Sequence, residues 1–128
     1  MNRAMNPAGV VKPASNYAQA VVHPAGAERI VVSGQVGVRP DGTIADGLEG
    51  QMTQAWANVL ACLADAGFKR TDLVKATIYV TQPGQVAVYR RARDAAMQGH
   101  LCANTYLEIA GLAAPQFLVE IEAEAVKG

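Results

Sequence analysis

The fold is decided by the stretch Phe117–Val126, which reads FLVEIEAEAV. Successive side chains of a β-strand point to opposite faces of its sheet, so the alternation predicts a strand with two different faces. One face carries Phe117, Val119, Ile121, Ala123 and Ala125. The other face carries Leu118, Glu120, Glu122, Glu124 and Val126. Three carboxylates in a row repel one another, so we expect the second face to meet water or a partner group.

Two helices are predicted upstream of this strand. Residues 47–66 repeat apolar side chains at helical spacing, and Gly67 provides a C-terminal stop. Asp46 and Glu49 are three residues apart, which predicts a capping box at the start of this helix. Residues 85–98 form the second helix, which Gly99 ends. Its apolar face is expected to carry Val86, Tyr89, Ala92 or Arg93, and Ala96.

Four further strands are predicted from short runs of β-branched and apolar residues. Residues 17–22 and 29–33 are separated by His23-Pro24-Ala25-Gly26, a spacing that favours a hairpin. Residues 73–80 form a strand between the two helices. Residues 103–112 form a strand that residues 113–116 join to the final one. Residues 1–16 contain Pro7, Gly9 and Pro13, and we expect them to form an irregular arm.

The element order is therefore β-β-α-β-α-β-β within one domain of 128 residues. Two helices are expected to cover one face of a mixed, six-stranded sheet, the five strands of this order and one more, which makes a two-layer α+β sandwich. The uncovered face needs water or another subunit. A closed homo-oligomer is the usual way to cover such a face.

The composition excludes several classes of protein. Hydrophobic residues make up 51% and charged residues 17%, which is too apolar for a disordered chain. The 11 basic and 11 acidic residues cancel, so nucleic acid is not an expected partner. The sequence has no 18-residue apolar run and no secretory signal, so no membrane association is expected. We interpret Cys62 and Cys102 as reduced thiols of a cytoplasmic protein. The two His and two Cys residues show no zinc spacing.

A local basic cluster lies on the second predicted helix. It consists of Arg90, Arg91 and Arg93. Charges grouped in this way form a solvated helix face in most proteins. The alternative is an anion contact or an ion pair with another subunit. The sequence leaves both interpretations open.

Several segments together resemble a known family. They are Tyr17-Ala18-Gln19-Ala20-Val21, Val32-Ser33-Gly34-Gln35-Val36, Gln51 with Asn58, Ala66-Gly67, Leu73-Val74-Lys75-Ala76-Thr77 and Val119-Glu120-Ile121-Glu122-Ala123. In this order and spacing the chain resembles the Rid (reactive intermediate deaminase) family, also called YjgF-type or endoribonuclease L-PSP. The resemblance implies a chorismate-mutase-like fold and a homotrimer that binds small molecules in clefts between subunits. It implies no metal and no organic cofactor.

The resemblance also implies roles for particular residues. Family members hydrolyse enamines and imines such as 2-aminoacrylate, and the carboxylate that orients or activates water matches Glu120. The residues expected to bind substrate are Tyr17, Ser33, Gly34, Asn104 and Tyr106. Asn104 stands where active members carry an arginine that grips the substrate carboxylate. A neutral amide cannot form that charged fork, so 2-imino acids are expected to be poor substrates.

Three functions follow from this resemblance. The first is a hydrolase of enamine or imine metabolites other than 2-imino acids, among them products of aromatic-ring degradation. The second is a trimer without catalytic activity that binds a small ligand or a partner. The third is a ribonuclease, which is least favoured because the chain has no basic stripe and no suitable pair of histidines. Whether the chain is an enzyme is left open by the sequence.

Overall fold

The computed structural model describes residues 1–127 and has two helices packed on one face of a mixed sheet. Its elements are β1 (Arg3–Met5), β2 (Ala20–Val22), β3 (Arg29–Val36), α1 (Gly47–Asp65), β4 (Leu73–Val80), α2 (Val86–Met97), β5 (Ala103–Glu108) and β6 (Val119–Val126). A short 3₁₀ turn, Arg70–Asp72, precedes β4. The predicted two-layer α+β architecture is confirmed.

The final strand lies inside the main sheet, whose order is β3-β6-β4-β5. It pairs with β3 and with β4 in antiparallel fashion, whereas β4 and β5 are parallel. The side chains of Val119, Ile121 and Ala125 are fully buried, in one core with Trp56 of α1. The predicted alternation of β6 is therefore confirmed, with its apolar residues toward the helices. An exception is Val126, which is buried although it was assigned to the polar face.

The prediction of a single six-stranded sheet is wrong. The main sheet has four strands, and β1 and β2 form a separate two-stranded sheet. The predicted hairpin between residues 17–22 and 29–33 is also wrong, because β2 pairs with β1 and β3 pairs with β6. The arm of residues 1–16 is consequently not irregular throughout. Strands as short as β1 carry too little alternation to be recognised, and pairing with a distant buried strand leaves no local signal.

The predicted strand over residues 103–112 ends earlier, at Glu108. The Glu108 carboxylate accepts hydrogen bonds from the backbone N–H of Gly84 (2.8 Å) and from the Tyr106 hydroxyl (2.7 Å). The backbone N–H of Ile109 still donates to Val80, after which the chain leaves the edge of the sheet. β5 thus ends at Glu108, where these polar contacts form, although the apolar residues of the sequence pattern continue to residue 112.

The structure confirms the prediction for the C-terminal end of α1 but not the one for its N-terminal end. Gly67 adopts φ +80°, as a C-terminal glycine stop requires, so that prediction is confirmed. The predicted capping box is wrong, because Asp46 is the N-cap but its side chain makes no capping hydrogen bond. The chain enters α1 through Gly47 at φ +69°, and a capping box needs right-handed helical geometry at that position.

The buried face of α2 also differs from the expected one. Val86 is exposed, whereas the buried residues of the helix are Tyr89, Ala92, Arg93 and Met97. Of the basic cluster, Arg91 lies in solvent and forms an ion pair with Glu49. A solvated helix face is therefore the right interpretation for Arg91 and the wrong one for Arg93.

Two side chains of α1 fix the strands beneath it. The buried Gln51 accepts a hydrogen bond from the backbone N–H of Leu118 (2.9 Å) and donates to the carbonyl of Gln116 (3.1 Å). Asn58 donates to the carbonyls of Val36 (3.1 Å) and Val38 (2.9 Å). These bonds hold the start of β6 and the end of β3 against the same helix.

We expect Gly37→Ala to destabilise the fold, because α1 lies directly against this glycine. A Cβ at position 37 would be 2.5 Å from the Cα of Gln51 and 2.7 Å from its carbonyl oxygen, so backbone would have to move. Overpacking of this kind costs about 1–3 kcal/mol in the free energy of unfolding, which urea denaturation measures. Gly50→Ala is the matched control. A Cβ at position 50 would meet only the Cβ of Ala45, at 3.8 Å. Alanine is also favoured over glycine inside a helix by about 0.5–1 kcal/mol. Equal stability of the two variants would refute the close contact.

Candidate functional site

Glu120 lies on the face of the sheet that the helices leave open. Its neighbours across the sheet are Val36 of β3 and Tyr79 of β4. The pairing of β3 with β6 shifts register between Val32 and Gln35, so Ser33 and Gly34 form a bulge beside Glu120. Bulges locally bend a strand and re-aim its backbone. Here the bulge brings the backbone of Gly34 against the Glu120 side chain. We call Ser33, Gly34 and Glu120 the carboxylate cluster.

The three glutamates of β6 have different surroundings. Glu122 accepts a hydrogen bond from the Tyr79 hydroxyl (2.7 Å), which raises the pKa of Tyr79. Glu124 forms an ion pair with Arg29. Within residues 1–127, the carboxylate of Glu120 accepts no hydrogen bond and forms no ion pair. It is therefore the one carboxylate of the row that has neither oxygen paired within these residues.

We expect Gly34→Ala to displace the Glu120 carboxylate without unfolding the chain. A Cβ on Gly34 would collide with the end of the Glu120 side chain, which is flexible and can rotate away. The φ of Gly34 is not in the left-handed region, so alanine adds no backbone strain there. Thermal unfolding should change little, and a crystal structure of the variant should show Glu120 in another rotamer. An unmoved carboxylate would show that Gly34 does not shape this cluster.

A second group of polar side chains lies at the opposite edge of the sheet, under α2. Asn104 accepts a hydrogen bond from the Tyr89 hydroxyl (3.1 Å) and donates to the carbonyl of Cys102 (3.2 Å). The rings of Tyr89 and Tyr106 stack with centroids 4.8 Å apart. Burial and the hydrogen bond to Glu108 raise the pKa of Tyr106 to about 12. This tyrosine therefore stays protonated at neutral pH.

The N-terminal segment completes this second group. The backbone N–H of Ala18 donates to the carbonyl of Cys102 (3.0 Å), which places Tyr17 beside the start of β5. Tyr17 lines a cavity of about 390 Å³ together with Lys12, Ser15 and Leu101. The hydroxyl of Ser15 accepts a hydrogen bond from Arg93 (3.4 Å). We call Tyr17, Tyr89, Arg93, Asn104 and Tyr106 the edge cluster.

The predicted site residues therefore divide between two places. Ser33, Gly34 and Glu120 share the open face, whereas Tyr17, Asn104 and Tyr106 share the edge of the sheet. Strand β4 separates β5 from β6, and Asn104 faces the helices while Glu120 faces away from them. Within one chain, Asn104 and Glu120 therefore do not lie opposite each other on neighbouring strands, and an arrangement of the two residues across a subunit interface stays a prediction. A site that contains both residues needs two chains.

Sequence reasoning missed Tyr89 and Arg93 as members of this cluster. The apolar face predicted for α2 contains Tyr89, with Arg93 as an alternative to Ala92. In the structure the side chains of Tyr89 and Arg93 are both buried. The sequence signal for a functional role of Arg93 is a charged residue at a position where the helix pattern predicts an apolar one. Cys102, which is also buried here, has its pKa raised by desolvation to about 11 and is therefore not a nucleophile at neutral pH.

Other parts of the chain offer less. A larger cavity, of about 870 Å³, lies between the N-terminal strand and His100, and none of the predicted site residues line it. In residues 1–127, no three His, Cys, Asp or Glu side chains are grouped closely enough to hold a metal ion. None of the helices in the same part of the chain has both the length and the apolarity needed to span a bilayer.

Comparison with known proteins gives the family. The family model described as endoribonuclease L-PSP matches residues 9–127. The chain belongs to the endoribonuclease L-PSP family. A 2-iminobutanoate/2-iminopropanoate deaminase of Salmonella typhimurium is 32% identical over 102 residues, which are 77% of this chain and 79% of that protein. A RutC family protein of Aquifex aeolicus is 43% identical over 53 residues, less than half of either chain.

Solved structures of L-PSP family members agree with this assignment. The Rid family protein YyfB from Yersinia pestis has a TM-score of 0.90 at 29% identity, and the match covers 98% of each chain. Escherichia coli TdcF, solved with bound serine, has a TM-score of 0.74 at 25% identity and covers 93% of this chain and 91% of its own. The resemblance to the Rid family that the sequence motifs indicate is thus confirmed.

Proposed function

We propose that this protein hydrolyses the C=N bond of reactive imine or enamine metabolites in clefts between the subunits of a homotrimer. The observation that carries the proposal is that the Glu120 carboxylate is unpaired in the described part of the chain. Its carboxylate lies against the Gly34 backbone and is the one glutamate of β6 without a partner among residues 1–127. The deaminase name of the Salmonella relative supports the choice of reaction.

The reaction needs few groups. An enamine first tautomerises to its imine, and Glu120 takes a proton from a water molecule as the water oxygen bonds to the imine carbon. The C=N double bond becomes a single bond, and the nitrogen takes a proton from solvent water, which gives a carbinolamine. Protonated Glu120 then gives its proton to the amino group, the C–N bond breaks, and ammonia leaves. The hydroxyl group loses its proton to solvent as it becomes the carbonyl, so the Glu120 carboxylate is regenerated and the proton taken from solvent is returned.

A trimer would bring the two clusters together. One chain presents the edge cluster and the carboxylate cluster on different surfaces, so a head-to-tail interface can place one against the other. The open face of the sheet also carries exposed apolar side chains, Val31 at 63% and Leu107 at 44%. A ring of three chains would cover these side chains and create three equivalent clefts. Asn104 and Tyr106 would then contact the substrate opposite Glu120.

The proposal is tested with purified protein and a panel of imines, whose carboxylate-bearing members are made in place by a threonine or serine dehydratase. Semicarbazide traps the imine that escapes, so the protein should lower the rate of semicarbazone formation. We expect acceleration of at least one imine from a panel with charged and uncharged substituents. Sedimentation should give about three times the 13.4 kDa of one chain. Binding without turnover across the whole panel would support a ligand-binding trimer instead, and a mass near 13.4 kDa would contradict the cleft.

A further inference from the structure

Two adjoining cavities lie at the end of the sheet where β4 and β5 begin and β6 ends. The first has a volume of about 870 Å³, and its lining includes Leu73, Leu101 and Lys127. The second, of about 520 Å³, shares four lining residues with the first, namely Lys69, Thr71, Gly99 and His100. Neither the carboxylate cluster nor the edge cluster contributes a residue to these cavities. The proposed hydrolysis therefore gives them no role.

Basic side chains outnumber acidic ones around the first cavity. The basic residues in its lining are Lys69, His100 and Lys127, and the acidic residue is Asp72. The Asp72 carboxylate accepts a hydrogen bond from the backbone N–H of Lys69 (2.8 Å), which fixes the turn before β4. The cavity is thus locally electropositive in a chain whose net charge is zero, and a concave site of one charge attracts ligands of the opposite charge.

The ammonium group of Lys69 makes no hydrogen bond and no ion pair within residues 1–127. By contrast, Lys127 forms an ion pair with Glu28 (2.7 Å), and its Nζ lies 4.8 Å from the centroid of the Phe68 ring. The hydroxyl of Thr71 lies two residues after Lys69 and is also without a hydrogen bond in that part of the chain. Since both residues line both cavities, a ligand at this point would meet one charged and one neutral donor.

The imidazole of His100 is held in the wall that the two cavities share. Its Nε2 lies 2.8 Å from the carbonyl oxygen of Leu73, which can only accept, so Nε2 carries the proton. The other ring nitrogen, Nδ1, makes no hydrogen bond to residues 1–127. Nδ1 accepts a hydrogen bond while the ring is neutral and donates one when the ring is protonated. It can therefore contact an acidic group in either protonation state of that group.

We propose that these cavities form a second ligand site, which binds the phosphate group of a small phosphomonoester between Lys69, Thr71 and His100. The contacting groups stand on two segments, the turn before β4 and the loop after α2, and Lys127 adds a positive charge from the end of β6. A phosphate suits this arrangement because its three free oxygens point in different directions, whereas the two oxygens of a carboxylate share one plane. At neutral pH some of a phosphomonoester keeps one proton, which Nδ1 of His100 can accept.

The remaining side chains favour an organic phosphate over a carboxylate or a bare phosphate ion. Arg70 lines the second cavity, but its Nε donates to the carbonyl of Ala96 and its Nη1 to Gln98 Oε1 (3.2 Å). One donor of each fork that could grip a carboxylate is thus already in use. The first cavity is also lined by apolar side chains, among them Val21 and Leu101. Its volume lies within the range of about 300–1,000 Å³ that is usual for small-molecule sites, so it has room for an organic group beside the phosphate.

The test measures binding of phenyl phosphate, with phenol and benzoate as controls that carry the same ring without a phosphate. We expect calorimetry in a phosphate-free buffer to show phenyl phosphate binding at least about tenfold more tightly than either control. Lys69→Gln should weaken phenyl phosphate about fivefold, because one exposed charge is lost. Lys12→Gln is the matched control, since Lys12 is also exposed but lines the cavity beside Tyr17, and its affinity should equal that of the wild-type protein.

NMR gives a second readout, because the chain has two histidines. The imidazole signals of His100 should shift as phenyl phosphate is added, while those of His23, which contacts the carbonyl of Pro24 on the surface, should stay in place. Lack of binding to the wild-type protein, a Lys69→Gln protein with unchanged affinity, an affinity loss confined to Lys12→Gln, or an unmoved His100 would each overturn the proposal. Benzoate binding as tight as that of phenyl phosphate would overturn the choice of a phosphate. Imine hydrolysis plays no part in these measurements, so they leave the proposed function to its own test.

Discussion

Glu120→Gln is expected to abolish imine hydrolysis while the trimer stays intact. Glutamine keeps the length of the side chain and can still form hydrogen bonds, but it cannot take a proton from water. A positioned general base contributes about a hundred- to ten-thousandfold to a rate, and the variant should lose activity on that scale. Because the Glu120 carboxylate has no partner in residues 1–127, its replacement should barely change the thermal unfolding midpoint.

Glu124→Gln is the control for this variant. Glu124 lies on the same face of the same strand, four residues after Glu120. It forms a partly exposed ion pair with Arg29. Exposed ion pairs contribute less than about 1 kcal/mol to stability, so both activity and fold should be preserved. Full activity in both variants would make Glu120 a solvated strand residue. A Glu120→Gln protein that no longer forms trimers would make its role structural.

The fold could be predicted where a residue pattern reports directly on burial. The alternation of residues 117–126 predicted a strand that lies inside the main sheet, and its apolar face is buried in one core with α1. The predictions that were wrong concern strands that pair with strands distant in sequence. β1 has three residues, and β3 pairs with β6 almost a hundred positions away, so neither pairing has a local signal.

The candidate site shows the same division. The carboxylate cluster was predicted residue by residue from the resemblance, and the bulge at Ser33 and Gly34 explains why the backbone meets Glu120 there. The position of Arg93 could not be predicted, because its burial depends on Tyr89 beneath it and on the N-terminal segment beside it. The contact with Tyr89 follows from helical spacing, but the contact with Ser15 joins parts of the chain that are 78 positions apart.

The central claim is that the two clusters act together across a subunit interface. If so, one inactive chain should repair another. Glu120→Gln damages the carboxylate cluster alone, and the double variant Tyr17→Ala/Asn104→Ala damages the edge cluster alone. Each is expected to be inactive as a homomeric protein. In a mixed trimer, some clefts combine an intact edge cluster from one chain with an intact Glu120 from its neighbour.

The most direct measurement is the rate of imine hydrolysis by trimers co-expressed from these two variants, with their mixing verified by native mass spectrometry. Random mixing gives an intact edge cluster in half of the chains and an intact Glu120 in the other half. About a quarter of the clefts should therefore be complete, and the mixed protein should recover about a quarter of the wild-type rate. Mixed trimers that remain as inactive as either parent would contradict a catalytic cleft built from two chains.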